Sequence, residues 1–175
     1  MRLASPNEMI SLSLSRININ SPCIVTAEDN RSFIFFTDEA CYRIGFAEDY
    51  TISFSNVYQF YLQKVSGKSH LSSEVYGTVK AVIEEFFVND DVALLYICDT
   101  SDNRQAARDR LFRTWYLKAN ADGTFIMHNA SVEVQKVKFY AALITRSKSE
   151  FGENALKAFD SFASDFSDKA SQWNE

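Results

Sequence analysis

The chain predicts a single α+β domain: one mixed, mostly antiparallel sheet, helices near 72–88 and 102–118, and a third helix at the C-terminus. Three observations carry that expectation. Between about 31 and 65, short runs alternate apolar and polar residues, the period of strands with one face on a core. Between 72 and 118 the period becomes helical, twice, on either side of "VALLYIC" (92–98), which is apolar throughout. The chain then ends on a long stretch whose apolar residues recur at three- and four-residue steps.

Taken in order, residues 1–22 are rich in Ser and Asn and predict a loosely ordered arm or edge strand, leaving 23–175 as the domain. "RSFIFF" (31–36) reads as a strand and "TDEA" (37–40) as its turn. "CYRIGF" (41–46) puts Tyr42, Ile44 and Phe46 on one face. "TISFS" (51–55) is a second alternating piece. "VYQFYLQKV" (57–65) sets Tyr58, Phe60 and Leu62 against Val57, Gln59 and Tyr61.

In "SSEVYGTVKAVIEEFF" (72–87), Val75, Val79, Val82, Ile83 and Phe86 share one helical face. Ser72 or Ser73 can cap the first-turn amides, and Glu84 and Glu85 fall off the apolar face as a solvated end. Gly77 costs about 1 kcal/mol in mid-helix, so it marks a close approach of other chain or sits tolerated on the surface. "VALLYIC" lacks polar alternation, as a central strand covered on both faces does. A right-handed parallel crossover from the strand near Tyr58 reaches it. "GTFIMHNASVEV" (123–134) and "VKFYAALITR" (137–146) form an antiparallel pair. In "FGENALKAFDSFASDFSDKASQW" (151–173), Ala155, Phe159, Phe162, Phe166, Ala170 and Trp173 make a stripe that must cover the sheet or a partner chain.

Composition narrows the function. A formal charge of -5 repels nucleic acid unless basic groups are segregated, and it gives no attraction to an anionic membrane. No run approaches the ~20 apolar residues of a membrane helix, and the polar start has no signal-peptide character, so a cytoplasmic protein is expected. Cys23, Cys41 and Cys98 are odd in number and far apart, and His70 and His128 stand alone. Neither a disulfide framework nor a metal site is expected, and Cys98 reads as a buried thiol.

The most specific stretch is "YICDTSDNRQAARDRLFRTWY" (96–116). Asp102 and Gln105 have capping-box spacing. At 100° per residue, Ala107, Leu111, Phe112 and Trp115 define a buried stripe with Arg104 and Arg108 inside it and Arg110 and Arg113 outside. A core-facing arginine keeps its charge and needs a partner. Asp99, where the central strand ends, supports two readings. Arg104 or Arg108 pairs with Asp99 and locks helix to strand, or Asp99, Thr100, Arg104 and Arg108 line an anion crevice beyond the strand's carboxyl end. A nucleic-acid surface built from the arginines with Trp115 is opposed by the net charge.

With "VYGTVKAVIEEFF" before it, this stretch resembles the DUF6169 family of uncharacterised bacterial proteins, in a pattern spanning most of 31–146. That resemblance implies no activity. The order of strands, helix, strand, helix and terminal strand pair is similar in topology to GCN5-related N-acyltransferases, in which a loop and helix start hold the pyrophosphate of acetyl-CoA. It implies a degenerate form of that fold. It also places a cofactor site at Gly67, Lys68 and Ser73 in "KVSGKSHLSSEVYG" (64–77), where Lys68, Ser69 and His70 cluster. This loop has one glycine where that family has two or three. Phe112 falls where that family carries a tyrosine acid, which leaves Tyr116 as the substitute.

The leading expectation is therefore a structural or protein-interaction role without a cofactor, with a partner or a second copy covering the C-terminal helix. The alternative is an N-acyltransferase using acetyl-CoA or another acyl-CoA. An enzyme needs two parallel strands that splay around an open slot. An interaction protein has that slot closed by aromatic side chains.

Overall fold

The computed structural model describes residues 10–68 and 71–173. The expected Ser69 and His70 part of the cofactor loop lies outside them. In chain order the elements are α1 (Leu14–Asn20), β1 (Val25–Ala27), β2 (Ser32–Phe36), β3 (Ala40–Glu48) and β4 (Val57–Gly67). They continue with α2 (Ser73–Phe86), β5 (Ala93–Ile97), α3 (Gln105–Ala119), β6 (Phe125–Val134), β7 (Val137–Arg146) and α4 (Glu150–Trp173). The seven strands form one open, mixed, mostly antiparallel sheet in the order β1-β2-β3-β4-β5-β7-β6.

Contacts divide the chain into two compact units. One is Met1–Gly45 with Leu62–Asp90, and the other is Phe46–Tyr61 with Asp91–Glu175.

In the first unit, β1, β2 and the start of β3 pair antiparallel, with Phe35 stacked on Tyr42 across the ladder at 5.4 Å. α2 begins after Ser72, whose hydroxyl accepts the Val75 amide. It buries Val75, Val79, Val82 and Phe86 as its period predicts. Gly77 is a close approach, although to a ring and not to backbone: a Cβ there would lie 2.9 Å from the Pro22 ring.

Two expectations change in this unit. Where residues 1–22 predict a loose arm or edge strand, Leu14–Asn20 is a helix with Ile17 fully buried. Glu85, expected in solvent, is buried and takes a bidentate contact from Arg16 (2.9 and 2.6 Å) and the Ser13 amide (2.9 Å). The Arg16 hydrogen bond holds the Glu85 carboxyl below its usual range. That ion pair and the apolar contact of Ile17 order a segment whose polarity suggested none.

In the second unit, β4 and β5 run parallel through Val57↔Ala93, Tyr58↔Leu94 and Gln59↔Leu95. β5 pairs antiparallel with β7, and β7 with β6 in ten consecutive pairs closed by a two-residue turn, Gln135-Lys136, both at positive φ. Mirror-image turns of that kind match the twist of the strands they join. Ala93, Leu94, Leu95 and Tyr96 are all buried, as expected of a strand with both faces covered.

Alternation along the strands sends Val57, Ala93, Leu95 and Leu143 to the face packed by Ala155, Leu156 and Phe159 of α4. "TISFS" is not a strand. Asp49 takes the amides of Thr51 and Ile52 and the Thr51 hydroxyl, tying the segment into a loop that still delivers Ile52 to the α4 core. A carboxylate that gathers neighbouring amides offers the backbone an alternative to a ladder.

Candidate functional site

The strongest candidate lies in the second unit, where the parallel strands part. Their paired register runs to Gln59 and Leu95, while β4 continues to Gly67 and β5 to Ile97. The next residues on the α3 face are Phe60 and Tyr96, and Phe112 of α3 sits against both. Its ring lies 6.1 Å from Phe60 and 5.1 Å from Tyr96, with Trp115 at 5.8 Å. Phe46 closes on Phe60 at 6.0 Å. Aromatic side chains thus fill the place where a slot between splayed strands would open.

Beside this cluster sits a buried polar group. The Tyr96 hydroxyl donates to Asp109 Oδ1 at 3.3 Å, and Arg113 Nε lies 2.9 Å from Asp109 Oδ2. That Nε–H is not aimed at the oxygen, so the Arg113 contact is coulombic and lacks hydrogen-bond geometry. Burial, with Asp109 beside it, raises the Tyr96 phenol well above its usual range and pushes the Cys98 thiol up to about 11. Both groups are neutral and protonated at neutral pH. Neither is a poised base or nucleophile.

The sequence reasoning missed Asp109 and dismissed Arg113. The true inward face of α3 centres on Asp109, with Gln105, Phe112 and Tyr116 in line, and Ala107 is exposed. A reading by apolar residues alone turned the helix about 100°, because it could not count a carboxylate as core-facing. The available signal was Asp109 four residues before Arg113, on the face that also carries Phe112 and Tyr116.

At the expected arginine crevice, the carboxylate that Arg108 meets is Asp102. Arg104 is exposed at the N-cap of α3, outside any stripe. Arg108 makes a bidentate pair with Asp102 (2.7 and 2.6 Å), and from Asp99 it takes the backbone carbonyl (2.9 Å). The Asp99 carboxylate accepts the amide and hydroxyl of Ser101 instead. The Arg108 hydrogen bond lowers the Asp102 carboxyl to about 2. The capping box is also absent: α3 has no side-chain cap, and Gln105 donates to the Lys138 carbonyl at 3.2 Å.

Tyr116 lies two turns beyond Arg108, about 12 Å along the helix. Its hydroxyl donates to the Phe125 carbonyl (3.0 Å) and accepts from Asn120 (2.9 Å), and burial raises its pKa. That proton is engaged in holding the end of α3 to the start of β6.

Gly67, Lys68 and Ser73 belong to the first unit. Gly67 has φ +86°, and a Cβ there would lie 2.1 Å from the Glu39 carbonyl oxygen. The Lys68 amide donates to that same carbonyl (3.1 Å), and Ser73 opens α2 behind its cap. The glycine and the lysine amide thus serve a local turn against β3.

A second feature of the second unit was anticipated as a stripe. Between α4 and the β6–β7 pair runs an apolar groove of about 150 Å³, lined by Ile97, Val132, Phe139, Phe159, Phe162 and Phe166 among others. Ile97 is 43% exposed, Phe162 38% and Trp173 56%. Phe162 stacks on Phe166 at 6.1 Å and Phe166 meets Trp173 edge-on at 6.3 Å. His128 of β6 contacts Asp160 at 2.9 Å and fastens the helix over the strand. Among the described residues no three His, Cys, Asp or Glu gather as metal ligands, and no helix is long and apolar enough to cross a membrane.

Fold and site together define an α+β protein with a plugged parallel-strand junction and an apolar groove beneath its last helix. Residues 72–161 match the model of a family of unknown function, DUF6169. That is just over half of the 175 residues, and the chain belongs to this family. The match begins and ends later than the 31–146 that the sequence pattern suggests. It spans α2 through β7 and stops within α4, before Phe162. No curated protein and no solved structure matches the chain.

Proposed function

We propose that the protein has a protein-interaction role on an acyltransferase-like scaffold, presenting the groove beneath α4 as its binding surface. The observation that carries this reading is the groove itself: a wholly apolar lining, partly solvent-exposed, on an element anchored by Phe159 and the His128–Asp160 contact. Contiguous exposed apolar surface of this kind marks interaction sites. The scaffold reading is supported by the parallel β4–β5 pair embedded in an otherwise antiparallel sheet. Three free, buried cysteines and the absence of a membrane-length helix among the described residues fit a cytoplasmic bacterial protein.

The alternative, an acyl-CoA-dependent N-acyltransferase, is supported by the same parallel junction. Against it stand the Phe60–Phe112–Tyr96 plug, the engaged Tyr116 proton and the structural use of Gly67.

Two measurements test the proposal. Titration of the wild-type chain with acetyl-CoA by calorimetry should give no heat of binding. Micromolar binding would overturn the interaction reading in favour of the enzyme. A photo-cross-linking phenylalanine analogue at Phe162 should yield a discrete protein adduct in cells, and none from a partly exposed Tyr76 position in the first unit.

A further inference from the structure

The interaction reading leaves the occupant open, and the sheet edge beside the groove narrows it. β6 is the last strand of the sheet, and among the described residues no strand lies beyond it. Sheet edges invite pairing, and proteins blunt them with short strands, lysines, prolines or bulges. The opposite edge, β1, is three residues long. β6 is ten residues long, its pairing with β7 is unbroken, and its segment "IMHNASV" (126–132) holds no Lys, Arg, Pro or Gly. That segment alone offers a straight edge about 24 Å long.

We infer that a second copy of this chain pairs antiparallel with the 126–132 edge of β6, continuing the sheet through a two-fold axis near Ala130. The inference rests on the interaction reading above and names its partner. What fits an open strand edge is another strand, and this one suits itself. Its one titratable side chain, His128, falls opposite Val132 of the other copy, so no like charges meet.

Charge at the two ends favours the same register. A pairing centred on Ala130 brings the turn with exposed Lys136 beside residue 124 of the other copy. Exposed Asp122 stands two residues away, and the contact occurs twice by symmetry. α4 lies over β6, so the same axis sets the two helices on one face of the joined sheet, each with Asp160 on the side toward the seam. An isologous contact of this kind closes as a dimer and leaves only the short β1 strand at each edge of the joined sheet.

Sedimentation equilibrium on the full chain at micromolar concentration should give twice the 20.0 kDa of the monomer. Asn129 and Ser131 are exposed, point away from α4 and become neighbours across the axis. Asn129→Lys with Ser131→Lys should weaken dimerisation at least about tenfold while the circular dichroism spectrum stays that of the wild type. Mixing that variant with Asn129→Glu/Ser131→Glu should restore a dimer.

A wild type that stays monomeric, or a lysine variant that dimerises as the wild type does, overturns the inference. The Phe162 cross-linker separates the two levels. A self-adduct from the same analogue placed at Asn129, which meets Ser131 of the other copy, supports the second copy. An adduct to a different protein from a monomeric chain removes the second copy and leaves the interaction reading. No adduct from a monomeric chain removes both.

Discussion

Replacing Phe112 by alanine tests whether the aromatic cluster closes the strand junction. Truncating a fully buried phenylalanine costs about 3–5 kcal/mol. Phe112 is only partly buried, which reduces the transfer part of that cost. Against this, its ring has three aromatic neighbours, at 5.1, 5.8 and 6.1 Å, and such pairs contribute about 0.5–1.5 kcal/mol each beyond area.

We expect Phe112→Ala to lose about 2–3 kcal/mol, which for a chain of this length lowers Tm by roughly 5–10 °C. Urea unfolding followed by circular dichroism gives the value, as a fall in midpoint at unchanged slope. Phe112→Leu keeps most of the volume and loses the ring geometry, so it should cost less than about 1.5 kcal/mol. A loss under about 1 kcal/mol for alanine, or equal losses for both variants, would refute the plug.

Three further outcomes follow from single positions. Gly67→Ala should destabilise by more than about 2 kcal/mol, since its Cβ meets the backbone of Glu39 and Ala40 at positive φ; Gly123→Ala, at φ +71° with open space around it, should cost about 1, and comparable unfolding midpoints would sink the distinction. Thr145 is fully buried with an unpartnered hydroxyl, so Thr145→Val should stabilise by about 1–2 kcal/mol in chemical denaturation, and a loss would mean the hydroxyl has a partner. The Asp102 carboxyl should titrate by NMR near pH 2 and return toward the ordinary range in Arg108→Ala. Because its folded pKa is depressed, the pair's contribution is full above the ordinary carboxylate pKa of about 3.9 and is lost as pH falls through about 2.

The elements that could be read from the chain are those whose period is set by burial on one or two faces. The uniform apolarity of Val92–Cys98, the helical spacing of Val75 to Phe86 and the stripe of α4 each translate into one structural solution. Elements held by polar contacts were not legible. α1 depends on Arg16 reaching Glu85 across 69 residues, and the loop around Ile52 depends on Asp49 collecting three donors. Neither leaves a periodic trace. The same physics explains the rotated α3. Ranking faces by apolar content is sound only when the core-facing groups are apolar, and here the innermost residue is Asp109, made tolerable by Tyr96 and Arg113.

The expected site residues were read from residue type, and type does not say whether a polar group is already engaged. Arg108, Tyr116, Gly67 and the Lys68 amide look available in sequence, yet each has a local structural partner. The apolar features behave in the opposite way. Phe162 and Trp173 read as core by their spacing and remain partly exposed, Phe162 at the rim of the groove over Ile97 and β7.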